Sequence, residues 1–142
     1  MPSINIVGLD NKKYTINSNK YVRKSKNASN LHKEARKLIK ELFPAFVLLE
    51  EVVLPGSKMN GMKNLSADFI ILDCRTVVEV HGRQHYEYIE HFHKSKAGFY
   101  RHKKRDKMKK EWCALNGFNF IELKYDEDID EWKQRITHSI CE

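Results

Sequence analysis

Residues 67–85, Ala67-Asp68-Phe69-Ile70-Ile71-Leu72-Asp73-Cys74-Arg75-Thr76-Val77-Val78-Glu79-Val80-His81-Gly82-Arg83-Gln84-His85, decide how this chain is read. Two short apolar runs flank a tight turn, which is the pattern of an antiparallel strand pair. Asp68, Glu79 and His81 stand where further apolar residues belong. Burying a charge costs several kcal/mol unless a partner offsets it. A divalent cation is one such partner, and a buried ion pair with Lys or Arg is the plainer one. A two-residue turn at Asp73-Cys74 sets Asp68 directly opposite Glu79 on one face, whereas a three-residue turn sets it opposite Val80.

Outward from this stretch the pattern is mixed. Ile4, Ile6, Tyr14 and Ile16 alternate around Gly8-Leu9-Asp10-Asn11, which predicts a small hairpin, either a sheet edge or a DNA-contacting arm. Ser29 and Asn30 can cap a helix starting near Leu31, with Leu31, Ala35, Leu38 and Leu42 on one stripe and Pro44 beyond its end. Glu34 falls between Leu31 and Leu38 on that stripe, an unusual place for an acid. Residues 46–53 read as a strand and 55–64 as a loop. Residues 86–100 are rich in aromatics and histidines, with no clear periodicity. A helix is expected from Arg101, with Met108, Trp112 and Leu115 inward and Gly117 as its stop. A strand over 118–123 and a helix over 129–140 close the chain.

The expected fold class is therefore α/β in the broad sense, an α+β arrangement of one mixed sheet flanked by helices. The expected organisation is an N-terminal hairpin or arm over 1–28 and one domain over 29–142.

The chain has 142 residues and a net charge of +7, with 26 Lys and Arg against 19 Asp and Glu. That balance favours a polyanionic partner. No apolar run approaches the roughly 18 residues of a membrane helix, and the N-terminus is not signal-like. The expectation is a soluble, cytoplasmic protein whose partner is nucleic acid and not a membrane. Cys74, Cys113 and Cys141 lack any paired metal or redox spacing.

Residues 94–110 hold nine Lys or Arg and a single acid, Asp106. Such a run is a phosphate-attracting face. Asp106 then either forms surface pairs with His102 or Lys110, worth a few tenths of a kcal/mol, or orients a histidine. Hydrolysis of a phosphodiester needs charge neutralisation, a nucleophilic water and a proton for the leaving oxygen. Oxygen ligands holding Mg²⁺ serve the first two needs, and histidines move protons near neutral pH. Asp68, Glu79, His81 and His85 have the required types.

Asp68 in Ala-Asp-Phe-Ile, Glu79-Val80-His81-Gly82 closing on His85, and Arg105-Asp106 heading a helix that ends in Asn-Gly before Phe-Ile-Glu-Leu together resemble the PD-(D/E)xK nuclease superfamily. Within it they are similar to the branch of very-short-patch repair endonucleases and phage-encoded EDxHD homing endonucleases, over roughly residues 30–125. The resemblance implies a restriction-endonuclease-like core and a Mg²⁺-dependent endonuclease for double-stranded DNA, in bacteria or phage-infected cells, with Mn²⁺ as a substitute. Matched in order, the four motif letters fall on Glu34, Asp68, His85 and Asp106. The repair enzymes' His-Gly pair falls on His81-Gly82, which implies leaving-group protonation by His81 and a metal contact by the Val80 carbonyl.

His81 stands where the superfamily usually has Lys, and the repair enzymes' zinc-binding cysteines have no counterpart, so no structural zinc is expected. The implied site is Asp68 with Glu79 on the metal, His85 as base, Glu34 and Asp106 positioning, and Arg83, Lys94, Lys96, Arg101, Lys103, Lys104, Arg105 and Lys107 on the DNA backbone. Cutting both strands with one centre takes a homodimer or two visits. The competing readings are a nucleic-acid-binding module whose acids are structural, a very-short-patch-type repair nicking enzyme, and a zinc protein using His81, His85, His91 and His93.

Overall fold

The computed structural model describes residues 3–23, 28–58 and 63–141, apart from the side chains at 84, 91, 92, 140 and 141. Strands β1 (Ser3–Val7) and β2 (Lys13–Asn17) form the expected hairpin. Helix α1 (Asn30–Leu42) follows, started by Ser29, whose hydroxyl accepts from His32 N–H at 3.1 Å. Then come β3 (Leu48–Val53), β4 (Ser66–Ile71) and β5 (Thr76–His81). A single helical turn α2 (Glu90–His93), the long α3 (Lys96–Leu115), β6 (Asn119–Lys124) and α4 (Ile129–Cys141) complete the chain.

The main sheet has the order β3-β4-β5-β6, antiparallel except for the parallel β5-β6 pair that α3 connects. Both its faces are covered. On one, Ala35, Leu38 and Ile39 of α1 and Trp132 and Ile136 of α4 pack on Phe69, Ile71, Val78, Ile121 and Leu123. On the other, Ile4, Ile6 and Ile16 of the hairpin and Trp112 and Cys113 of α3 pack on Leu49, Val52, Ala67, Ile70 and Val77. The hairpin thus shares the core of the domain, and Asn116 ties it to the end of α3 by accepting from Val7 N–H at 2.7 Å and donating to Val7 C=O at 2.8 Å.

Three expectations need correction. Helix α3 begins at Lys96, five residues before Arg101, because Ser95 caps it by accepting from Gly98 N–H at 3.1 Å. Only glycine fits at 98, since a Cβ there would lie 2.2 Å from His93 O. Leu115 is 49% exposed, and Trp112 and Cys113 fill the inward position expected of it. Glu34 is exposed, because the buried arc of α1 runs through His32, Ala35, Leu38 and Ile39 and leaves position 34 on the wet side. Gly117, with φ +69°, does stop α3 as expected.

Among the described residues no helix is long and apolar enough to cross a membrane.

Inside the α1 face, Glu50 is buried and its carboxylate accepts from Arg36 Nε at 2.9 Å and from the same guanidinium's second nitrogen at 2.8 Å. His32 Nε2 lies 2.9 Å from the same carboxylate. Glu50→Ala leaves Arg36 without its charge partner and is expected to lower stability by about 3 kcal/mol, read as a fall in the urea midpoint at unchanged slope.

Candidate cation and proton-transfer site

The β4-β5 ladder runs from Ile71↔Thr76 to Phe69↔Val78 and stops. One step further the same register sets Asp68 against Glu79, as the two-residue turn requires. There the side chains replace the ladder. Asp68 N–H donates to Glu79 Oε2 at 2.6 Å, and Val80 N–H donates to Asp68 Oδ2 at 2.8 Å. Each carboxylate occupies the place of the opposite strand's carbonyl, so the strands part without orphaning a buried amide. Val80 meets the site through this N–H.

The two acids differ in their partners. Glu79 is fully buried, and its Oε1 accepts from Lys109 Nζ of α3 at 2.5 Å. Burial alone would raise its pKa, but His81, Lys109 and the Asp68 N–H outweigh burial and hold the Glu79 carboxyl well below the usual range. Glu79 has therefore found a basic side chain, and both its oxygens are engaged. Among the described residues Asp68 has no such ion pair. Burial, then the nearby Glu79 charge, push its pKa well up.

Of the two acids expected on the metal, Glu79 is the one paired with Lys109, and Asp68 is the one with no ion pair among the described residues. Beside it stand two residues that the sequence reading passed over, His32 and Glu51, each offering a ligand atom within 4.8 Å of the others and of Asp68. His32 is the residue of α1 that reaches the site, and Glu34 does not.

Beyond the parted strands lie two histidines in parallel. The rings of His81 and His85 stack with centroids 4.0 Å apart and planes 2° apart. His85 Nδ1 is 2.9 Å from Asp106 Oδ2 of α3. His81 Nδ1 is 3.3 Å from Glu122 Oε1 of β6, and Glu122 also accepts from the Tyr86 hydroxyl. Glu122 and Tyr86 were not singled out in the sequence, because an acid at mid-strand and a tyrosine in an aperiodic stretch carry no spacing signal. His81 Nε2 is buried, 3.9 Å from Glu79 Oε1, and has no hydrogen-bond partner among the described residues. Buried polar atoms left unsatisfied are rare in folded proteins.

A groove of about 520 Å³ opens here between Lys63, Ser66, His85, His102, Arg105, Asp106 and Lys109. Positions 102, 105, 106 and 109 recur at helical spacing, so one stripe of α3 is given to this groove. Burial, and then His93, depress the His102 pKa. Of the expected phosphate-binding residues, Arg105 lines the groove. Arg83, Lys94, Lys96, Arg101, Lys103, Lys104 and Lys107 are exposed, with Arg83 paired to Glu87 at 2.7 Å and Lys103 over the Tyr86 ring at 5.5 Å.

Of the four histidines in the competing zinc reading, His81 and His85 are stacked on each other. His93 Nδ1 accepts from Ile89 N–H at 2.9 Å and its ring packs on Tyr88 and Phe99, while the His91 side chain lies outside the described residues.

No family model matches the chain, and no solved structure matches it. Among curated proteins it is similar to "Uncharacterized protein 307L" of Invertebrate iridescent virus 6, 39% identical over 69 residues, which cover 49% of this chain and 35% of the relative. It is also similar to "Uncharacterized protein 094L" of Frog virus 3 (isolate Goorha), 35% identical over 72 residues, 46% of either chain. The match thus spans less than half the length of these relatives.

Because Asp68 takes up a proton more readily folded than unfolded, its contribution to stability is complete at pH below the unfolded carboxylate range. It is lost as pH rises through the elevated folded value. Asp68→Asn, which keeps an oxygen for Val80 N–H and removes the charge, is expected to raise the unfolding free energy at pH 7.5 in metal-free buffer by roughly 1 kcal/mol or more, read as a higher thermal midpoint. The gain should shrink as pH is lowered toward 4. A loss of stability at pH 7.5 contradicts the assignment.

Proposed function

We propose that this protein is a divalent-cation-dependent endonuclease that hydrolyses phosphodiester bonds in double-stranded DNA, of the homing or repair-nicking type that its sequence resembles. The observation that supports this most is the stacked pair of histidines. Each has Nδ1 beside a carboxylate, and one keeps a buried Nε2 that has no hydrogen-bond partner among the described residues, two and six residues beyond Glu79, where the strands part.

Carboxylate oxygens and an imidazole nitrogen are donors that fit a divalent cation, and Asp68 is the ligand the reading depends on. Mg²⁺ is the ion that the resemblance implies. When bound, the cation supplies the positive charge that offsets the phosphate and makes a nearby water more acidic. The remaining steps belong to the chain. With Asp106 accepting from Nδ1–H, His85 presents the Nε2 lone pair and takes a proton from the attacking water. The water oxygen forms the new bond to phosphorus as the bond to the 3′ oxygen breaks, and His81 gives its Nε2 proton to that oxygen.

One proton enters the pair and one leaves it. Glu79, held by Lys109, stands behind His81 and Asp68 as a fixed charge. Arg105 and the exposed cations of α3 attract the backbone.

A second reading, a nucleic-acid-binding module without catalysis, draws on the closed Glu79–Lys109 pair, since a neutralised Glu79 is what a structural role looks like. Supercoiled plasmid separates the two. Wild type with Mg²⁺ or Mn²⁺ should nick or linearise it and EDTA should stop the reaction, while Asp68→Asn and His85→Ala should each lower the rate by about 100-fold or more with DNA affinity within roughly tenfold. Wild-type cutting by Asp68→Asn contradicts the proposal.

Lys104→Ala should leave the cleavage rate of saturated enzyme unchanged, weaken binding, and reduce the slope of log affinity against log salt by about one. An unaltered slope removes α3 from the interface.

A further inference from the structure

Strands β3 and β4 lose their alternation at the same level. On β3, Glu50 faces the α1 side, yet Val52 packs in the opposite core layer. On β4, Ala67 and Phe69 likewise belong to opposite layers. Glu51, at the turning point, has φ +50°, a left-handed conformation that is strained for a non-glycine residue. The effect is to bring the Glu51 carboxylate beside His32 and Asp68 instead of turning it, with Leu49, toward the core layer under the hairpin and α3.

We propose that His32, Glu51 and Asp68 form a cation site of mixed imidazole and carboxylate donors, selective for a first-row transition ion such as Mn²⁺ over Mg²⁺. The proposal rests on the reading of Asp68 as a cation ligand and adds the rest of the donor set and the class of ion.

The setting of His32 supports it. The His32 ring is 4% exposed, stacked on Phe69 at 4.2 Å, and its Nε2 is 2.9 Å from Glu50 Oε1. Arg36 fixes Glu50 through two hydrogen bonds. A carboxylate can only accept, so Nε2 donates to Glu50 and Nδ1 is the nitrogen that faces Glu51. That nitrogen is 3.8 Å from Glu51 Oε1, beyond hydrogen-bond reach. An imidazole whose far N–H is held by an anchored carboxylate is the arrangement that orients a metal-ligating histidine.

Asp68 uses Oδ2 for Val80 N–H, and among the described residues no hydrogen bond engages Oδ1. Glu51 is half-exposed, which gives an ion a way in from solvent. Two carboxylates and one imidazole suit Mn²⁺ and its neighbours, whereas Mg²⁺ prefers oxygen donors alone.

The second cluster, His81, His85 and Asp106, does not serve this purpose as it stands. Its two rings are parallel within 2° and 4.0 Å apart, so no point lies in both ring planes, where the nitrogen lone pairs are directed. The His32 cluster holds a single ring and has no such conflict.

Binding of Mn²⁺ to the full chain without DNA, followed by electron paramagnetic resonance, tests the proposal. One Mn²⁺ per chain should bind with ¹⁴N modulation from a single imidazole, and Mg²⁺ should displace it only in excess of about tenfold or more. His32→Gln should abolish the ¹⁴N modulation and bring Mn²⁺ and Mg²⁺ affinities close together. Glu51→Gln, at a half-exposed position that folding tolerates, should weaken Mn²⁺ about tenfold or more, while the exposed Glu34→Gln should change nothing.

Persistence of the ¹⁴N signal in His32→Gln, displacement by equimolar Mg²⁺, or wild-type Mn²⁺ affinity in Glu51→Gln overturns the proposal. If His32→Gln fails to fold, the Glu51→Gln titration decides alone. Failure of the nuclease reading shows differently, as His32-dependent Mn²⁺ binding by a chain that leaves plasmid intact. Failure of this site with the nuclease intact shows as Mg²⁺-supported cleavage that His32→Gln leaves unchanged.

Discussion

Two strands of a sheet normally satisfy one another through their backbones, and at Asp68 and Glu79 they do so through their acids instead. Asp68 accepts the amide of Val80 while Glu79 accepts the amide of Asp68. This exchange lets β4 and β5 part inside a closed core without leaving an amide unpaired, and it fixes two carboxylates where the strands open. The β3 reversal at Glu51, the arrival of Lys109 from α3 and the stacking of His81 on His85 all surround this opening. If the exchange were replaced by ordinary ladder bonds, Asp68 would point into apolar packing and the polar layer would have no centre.

Around the opening the distribution of charge is uneven in an informative way. Glu50 has Arg36, and Glu79 has Lys109. Glu51 and Asp68 have neither, and burial pushes both carboxyls upward. Two acids are thus neutralised by fixed cations, and the two that are not stand together beside a buried imidazole. Such local conflict lowers stability and persists where it serves a task. A mobile cation would resolve it without a further basic side chain, which is the role proposed for the ion at Asp68.

The fold was legible because its elements are patterned conventionally. Strands β4 and β5 read as apolar runs, Ser29 and Pro44 bracket α1, and Gly117 ends α3. Helix α3 was read short because one stripe of it, His102, Arg105, Asp106 and Lys109, faces a groove, so apolar periodicity appears only near Trp112. Asp68, Glu79, His81, His85 and Asp106 were visible as misfits of polarity, and the structure brings the last three into one cluster.

Glu34 misled because a stripe drawn from Leu31 to Leu38 takes in position 34, whereas the buried arc through His32, Ala35, Leu38 and Ile39 leaves it on the wet side. Glu50 and Glu51 were invisible for another reason. Adjacent acids on a strand read as facing opposite ways, and only the left-handed φ at Glu51 turns its carboxylate toward His32 and Asp68. The partner of Glu79 could not be read either, since Lys109 was one of nine cations in a run and only the docking of α3 distinguishes it.

Crystals soaked in Mn²⁺ and measured at a wavelength where manganese scatters anomalously test the central claim most directly, that the parted strands hold a cation at Asp68. The account predicts one strong anomalous peak within coordination distance of an Asp68 carboxylate oxygen, and no comparable peak beside Glu79 while Lys109 remains paired to it. A crystal with no peak at Asp68, or with its only peak between His81, His85 and Asp106, would contradict it.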